Sequence, residues 1–136
     1  MTTIDSEKVS IAAPASALYS FLGDFDRLKD LMPPQISKWQ STADSCSFNI
    51  QGMADIELRM AEKIPYSLIR VASEGRSPFS FSMIWRFEEV ASGAITSLSI
   101  EADLNPMMSM MVKSPLQNFV NILVTRLKEV VEASRA

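Results

Sequence analysis

Residues 79–88 alternate strictly. Phe79, Phe81, Met83, Trp85 and Phe87 take one parity, and Ser80, Ser82, Ile84, Arg86 and Glu88 take the other. A period of two over this length predicts a strand with one buried face. Burying each large side chain is worth about 1.5–3 kcal/mol, which puts an upper bound of roughly 10 kcal/mol on that face. The same rhythm recurs elsewhere. Val9 and Ile11 set it in residues 8–12. Cys46, Phe48 and Ile50 alternate with Ser47, Asn49 and Gln51, and Ile56, Leu58 and Met60 alternate with Glu57, Arg59 and Ala61. Leu98, Ile100, Ala102 and Leu104 alternate with Ser97, Ser99, Glu101 and Asp103. Residues 36–40 carry the weakest pattern. In residues 67–74 the parity of Arg70 and Glu74 turns Ile69 and Val71 inward. Pro65-Tyr66, Glu74-Gly75-Arg76 and Ser92-Gly93 punctuate the run as turns.

Helical spacing appears in two places. Pro14 suits a first helical position, Leu18, Phe21 and Leu22 follow on one face, and Gly23 is a stop. Asp24 caps a second short helix bearing Phe25, Leu28 and Leu31, which Pro33 and Pro34 end. The long helical pattern is residues 105–132. Asn105 and Pro106 form a start signal, and Leu116, Phe119, Val120, Leu123, Leu127, Val130 and Val131 form a stripe. Asn118, Asn121, Thr125, Lys128 and Glu132 occupy the wet side. Ser114, Pro115 and Gln117 form a second start signal inside this helix. Proline in a helix interior costs about 3 kcal/mol. Either a kink near Lys113 or a short helix followed by the main one is therefore expected.

The strands after Pro34 are joined by short turns, so the sheet is expected to be mostly antiparallel. A sheet with one apolar face needs a cover. A helix over residues 106–132 is about 40 Å long, and no other predicted element has that reach. The fold class is thus α+β: strand, two short helices, a run of strands, then a long closing helix. Methionine dominates the first half of that helix. Met107, Met108, Met110, Met111 and Val112 leave it apolar nearly all round. Flexible methionines can fill core gaps or form an adaptable lid over a cavity mouth.

Composition narrows the function. The 136 residues read as one domain, 1–136, large enough to fold without staples. A net charge of −3 with scattered basic residues argues against a nucleic-acid surface and against anionic membranes. Cys46 is the sole cysteine, the N-terminal residues are polar, and no apolar run is long enough to span a membrane. Together these give a cytoplasmic expectation. Histidine is absent, which removes the commonest general base and metal ligand. Cys46 without a histidine reads as a small buried hydrophobe. Asp24, Asp26 and Asp30 read as capping and solvated groups. Trp39 and Trp85 read as core that could also stack on a ligand. Arg70 and Arg86 have outward parity. No catalytic set, metal site or cofactor is expected.

Three stretches together, VSIAAPASALYSFLGDFDRLKDLMP, FSFSMIWRF and IEADLNPMMSMMVKSPLQNFVNILVTRLKE, resemble the START/Bet v 1-like superfamily, also called SRPBCC or polyketide cyclase/lipid-transport. The likeness covers nearly the whole chain and lies in element order, not in a catalytic motif. It implies a helix-grip fold, with a seven-stranded antiparallel sheet wrapped around a long C-terminal helix and two short helices after the first strand. It also implies a hydrophobic cavity between sheet and helix. Members bind lipids, polyketides or quinones, and others act as cyclases or as protein-partner modules.

The leading expectation is non-catalytic carriage or sensing of a small hydrophobic ligand. The lining would be Phe48, Ile56, Leu58, Met60, Phe81, Met83, Trp85, Leu98, Ile100, Met107, Met108, Met111, Phe119 and Leu123. The alternative is a protein-interaction module with a filled core and an exposed apolar patch, at residues 107–112 or at Met32-Pro33-Pro34, working as a monomer or homodimer. A cyclase or hydrolase would need Tyr19, Tyr66 or an inward carboxylate.

Overall fold

The computed structural model describes residues 2–34, 36–50, 54–74 and 80–135. Gln51, Phe79 and the Gly75-Arg76 turn lie outside them. The strands are β1 (Thr2–Asp5), β2 (Val9–Ile11), β3 (Ile36–Ser41), β4 (Ser45–Ile50), β5 (Ala54–Ile64), β6 (Leu68–Ser73), β7 (Phe81–Val90) and β8 (Gly93–Ala102). All pair antiparallel in one sheet of order β1-β8-β7-β6-β5-β4-β3, with β2 also on β8. Asp5 sits opposite Ser99 and Val9 opposite Thr96, so β1 and β2 form one interrupted lane along β8. Ser6 bridges the interruption. Its N–H donates to the Leu98 carbonyl at 2.8 Å, and its Oγ accepts the Leu98 N–H at 2.9 Å. Counted as lanes, the sheet has the seven expected. The pattern missed residues 2–5 because Ile4 is their lone apolar side chain, yet Ile4 is buried.

Two short helices follow β2. Helix α1 (Ala15–Leu22) begins one residue later than the sequence suggested. Pro14 is extended and acts as the cap position, and the Glu89 carboxylate on β7 accepts the Ala15 N–H at 3.1 Å. Helix α2 (Phe25–Leu28) runs into a 3-10 turn (Lys29–Leu31), and Asp24 caps it by accepting the Asp26 N–H. Leu18, Leu22, Phe25, Leu28 and Leu31 are all buried in the core. At the β7–β8 hairpin Gly93 has φ +151°, and a Cβ there would stand 2.0 Å from the Ile11 carbonyl oxygen. The close passage of β2 therefore requires glycine.

Helix α3 (Pro106–Arg135) is one unbroken helix that carries Pro115 in its interior. Of the two alternatives expected at Pro115, the division into a short and a main helix does not occur. Pro115 still lacks an N–H, so the Met111 carbonyl loses its helical donor. The helix packs against β8, β1, β2 and the 3-10 turn, along one margin of the sheet. Val120, Leu123, Val124, Leu127 and Val131 form its buried stripe.

Side chains from α3 also close the sheet edge. Gln117 Nε2 donates to the Asp5 carbonyl at 2.7 Å, and Asn121 Oδ1 accepts the Glu7 N–H at 3.0 Å. Lys128 Nζ donates to the Ser10 carbonyl at 2.9 Å, and Glu132 Oε2 accepts the Ala12 N–H at 2.9 Å. These four lie on one helix face and satisfy the backbone of a lane that, among the described residues, has no second strand beside it. The assignment of Asn121, Lys128 and Glu132 to a purely solvated side is corrected accordingly.

The outer face of the sheet holds a second departure. Ile84 has the polar parity of β7 yet is fully buried. Arg70 stands opposite it on β6 and Ser99 opposite it on β8, with Arg86 two residues along its own strand. Arg70 reaches across to Glu101, 3.3 Å away, and to Glu62 at 3.8 Å. Arg86 donates to Ser99 Oγ at 3.0 Å, and Ser99 in turn donates to Asp5 at 2.5 Å. Long polar side chains roof the isoleucine with their stems. Both arginines face outward, as their parity required.

Candidate functional site

Eight of the expected lining residues meet in one core: Phe48, Ile56, Leu58, Met83, Trp85, Leu98, Ile100 and Leu123. Alternation delivers the strand residues to the same face, and the α3 stripe delivers Leu123. Met60, Phe81 and Phe119 are half-buried against this core. The three methionines of α3 separate from the set. Met108 is half-buried, whereas Met107 and Met111 are 73% and 70% exposed. Met110, between them, is 85% exposed. The cause is geometric. Met107, Met110 and Met111 share one face at spacings of three and four, and Met108, Val112, Leu116 and Phe119 share the other. A helix apolar on all sides can press only one side against a sheet. Met107 and Met111 therefore do not line the interior.

The interior is occupied by large side chains. Trp85, Phe25, Leu58, Ile69 and Leu98 are fully or almost fully buried. Trp39 stacks on Phe48 with ring centroids 5.2 Å apart and planes 9° apart. Three buried polar atoms, Trp39 Nε1, Thr96 Oγ1 and Arg126 Nε, have no hydrogen-bond partner among the described residues. Residue type gave no hint of the second, because Thr96 differs from its neighbours only in sharing the inward parity of Ala94 and Leu98.

Two concavities lie elsewhere. One of about 390 Å³ is bordered by Gln40, Ser41, Thr42, Ser45, Ser47, Glu57 and Glu74, beside Cys46 and Leu58. The other, about 260 Å³, is bordered by residues of the β2–α1 link and the β7–β8 hairpin. Burial pushes the Cys46 thiol up to about 12, so it stays protonated and unreactive. Tyr66 is exposed and Tyr19 half-buried at a surface corner beside α1. Among the described residues no group of three or more His, Cys, Asp and Glu could hold a metal ion, and no helix is long and apolar enough to cross a membrane.

By sequence the chain matches no protein family and no curated protein. By structure it is similar to many solved proteins. TTHA0849 from Thermus thermophilus aligns with TM-score 0.74 and 17% identity, over 99% of this chain and 100% of that one. Protein CV1439 from Chromobacterium violaceum aligns with TM-score 0.68 and 19% identity, over 97% and 99%. The Aha1 dimer from Colwellia psychrerythraea aligns with TM-score 0.68 and 16% identity, over 100% of both. At these identities the likeness concerns the fold. This chain has a helix-grip-like α+β fold, with an antiparallel sheet, a long C-terminal helix and two short early helices.

Proposed function

We propose that this chain is a START/Bet v 1-like protein that acts without catalysis, as a protein-contact module, through the N-terminal half of α3. The observation that carries this reading is the exposure of Met107, Met110 and Met111 on one helix face. Contiguous exposed apolar side chains mark interaction surfaces, and methionine adapts its shape to a partner. The large buried side chains of the interior and the absence of any charge except Lys113 between Asp103 and Arg126 agree with it. The partner proposed first is a second copy of the chain. A two-fold interface brings the same patch of each copy together, so an uncharged apolar helix face can meet its own copy, and a protein of the same fold is described as a dimer. Sedimentation of the parent chain and of a Met107→Lys, Met110→Lys, Met111→Lys variant tests this. The parent is expected to self-associate and the variant to stay monomeric. A parent that is monomeric at every concentration would remove the second copy as partner.

The ligand reading keeps one specific support. Trp39 Nε1 and Thr96 Oγ1 are buried without partners among the described residues, and unpaired buried polar atoms are costly unless something satisfies them. A small hydrophobic molecule bearing a polar group could satisfy one of them from the core side. Uptake of an environment-sensitive dye, and its displacement by lipid or quinone, would support this reading. A cytoplasmic location is part of the proposal and rests on the single reduced Cys46.

A further inference from the structure

We infer that the corner formed by Lys63, Tyr66 and Tyr19 is a second contact site, which takes an acidic protein segment. Residues 64–67 form a turn in which the Ser67 N–H donates to the Ile64 carbonyl at 3.1 Å. Pro65 occupies its second position, and Tyr66, at φ +63°, its third. A turn with that conformation favours glycine at the third position, since a side chain there is strained. Tyr66 is nevertheless 58% exposed, so burial returns little of the strain. What the residue achieves is the presentation of a ring.

The surroundings say what that ring meets. It stands edge-on to Tyr19, with centroids 5.6 Å apart and planes at 77°. The Lys63 ammonium lies 5.3 Å from the Tyr19 ring centre and has no carboxylate partner among the described residues. Gly23, ending α1, leaves room for it, because a Cβ there would come within 3.0 Å of Lys63 Nζ. Ile64 adds an apolar side chain that is 44% exposed. Arg27 lies over the Phe21 ring at 6.0 Å and pairs with Asp24 at 3.9 Å, so Lys63 is the cation this corner offers to a partner. Tyrosine is among the side chains that concentrate binding energy at protein contacts. An unpaired ammonium beside exposed apolar surface selects a segment in which carboxylates flank an aliphatic residue. The site lies toward the end of the sheet that carries the β7–β8 hairpin, whereas Met107 follows the opposite end of β8. It is therefore independent of the α3 face.

The test is an NMR titration of the full isotope-labelled chain with a capped Glu-Leu-Glu-Glu-Leu-Glu peptide, and with its counterpart carrying lysine for glutamate. The acidic peptide is expected to shift the amides of Tyr19, Lys63, Ile64, Tyr66 and Ser67, and the basic peptide to leave them in place. Both Lys63→Gln and Tyr66→Gly should abolish the shifts, and Tyr66→Gly should melt at or above the parent temperature because the turn is relieved. Absence of shifts at millimolar peptide, equal shifts with the basic peptide, or a Tyr66→Gly chain that melts well below the parent would each overturn the inference.

Discussion

The side-chain amide of Asn121 accepts the backbone N–H of Glu7 at 3.0 Å, so a helix residue takes the place of a neighbouring strand. Gln117, Lys128 and Glu132 repeat the device along the same lane. An open edge strand invites pairing with other chains, and here α3 occupies it. Asn121→Leu leaves the Glu7 amide without that acceptor. The expected loss is about 0.5–1.5 kcal/mol in a urea titration, with faster hydrogen exchange at Glu7. Unchanged exchange there would mean the helix does not guard the edge.

Glu132 makes this lock sensitive to acid. The Lys128 ammonium first, and then the Ala12 N–H, hold its carboxyl below the usual range. A depressed folded-state pKa contributes stability above the unfolded-state value and loses it as pH falls through the folded value. Glu132→Gln should therefore melt below the parent at neutral pH, and the gap should close on acidification. A gap that stays constant with pH would place the contribution elsewhere than in the carboxylate.

Ile84 offers a test of the outer face. Its parity predicts a surface residue, for which substitution changes stability little. Its complete burial under the Arg70 and Arg86 network predicts otherwise. Ile84→Ala should cost about 2–5 kcal/mol by thermal or urea unfolding. A loss no larger than that of a solvated position would show that the arginine roof is open in solution.

Cys46 should be silent to alkylating reagents in the folded chain, since its thiol is buried and held protonated near 12. Modification should follow global unfolding as denaturant is raised. Rapid modification of the native chain would reveal local opening of β4.

These particulars also show what a linear pattern conveys. Alternation placed Met83, Trp85, Leu98 and Ile100 on the inner face because each strand has one wet side. It misplaced Ile84, since long arginine stems can bury a residue on the wet side, and parity does not record their reach. It passed over residues 2–5, because an edge lane held by backbone bonds and α3 side chains needs little apolar content. It left Pro115 ambiguous, because local start signals compete with packing of the whole helix, and packing prevailed. The interior half of the candidate site was legible on the same grounds. The methionine face was not, because a segment apolar on every side does not say which side turns inward.

Contact through that face can be read from methyl-labelled methionine. NMR spectra of the labelled chain would be recorded across a dilution series, then with an added environment-sensitive apolar dye. The methyl signals of Met107, Met110 and Met111 are expected to move with protein concentration while that of buried Met83 stays fixed. Surface methionine signals independent of concentration, with Met83 and Met60 responding to the dye, would contradict the contact reading and return the function to the interior.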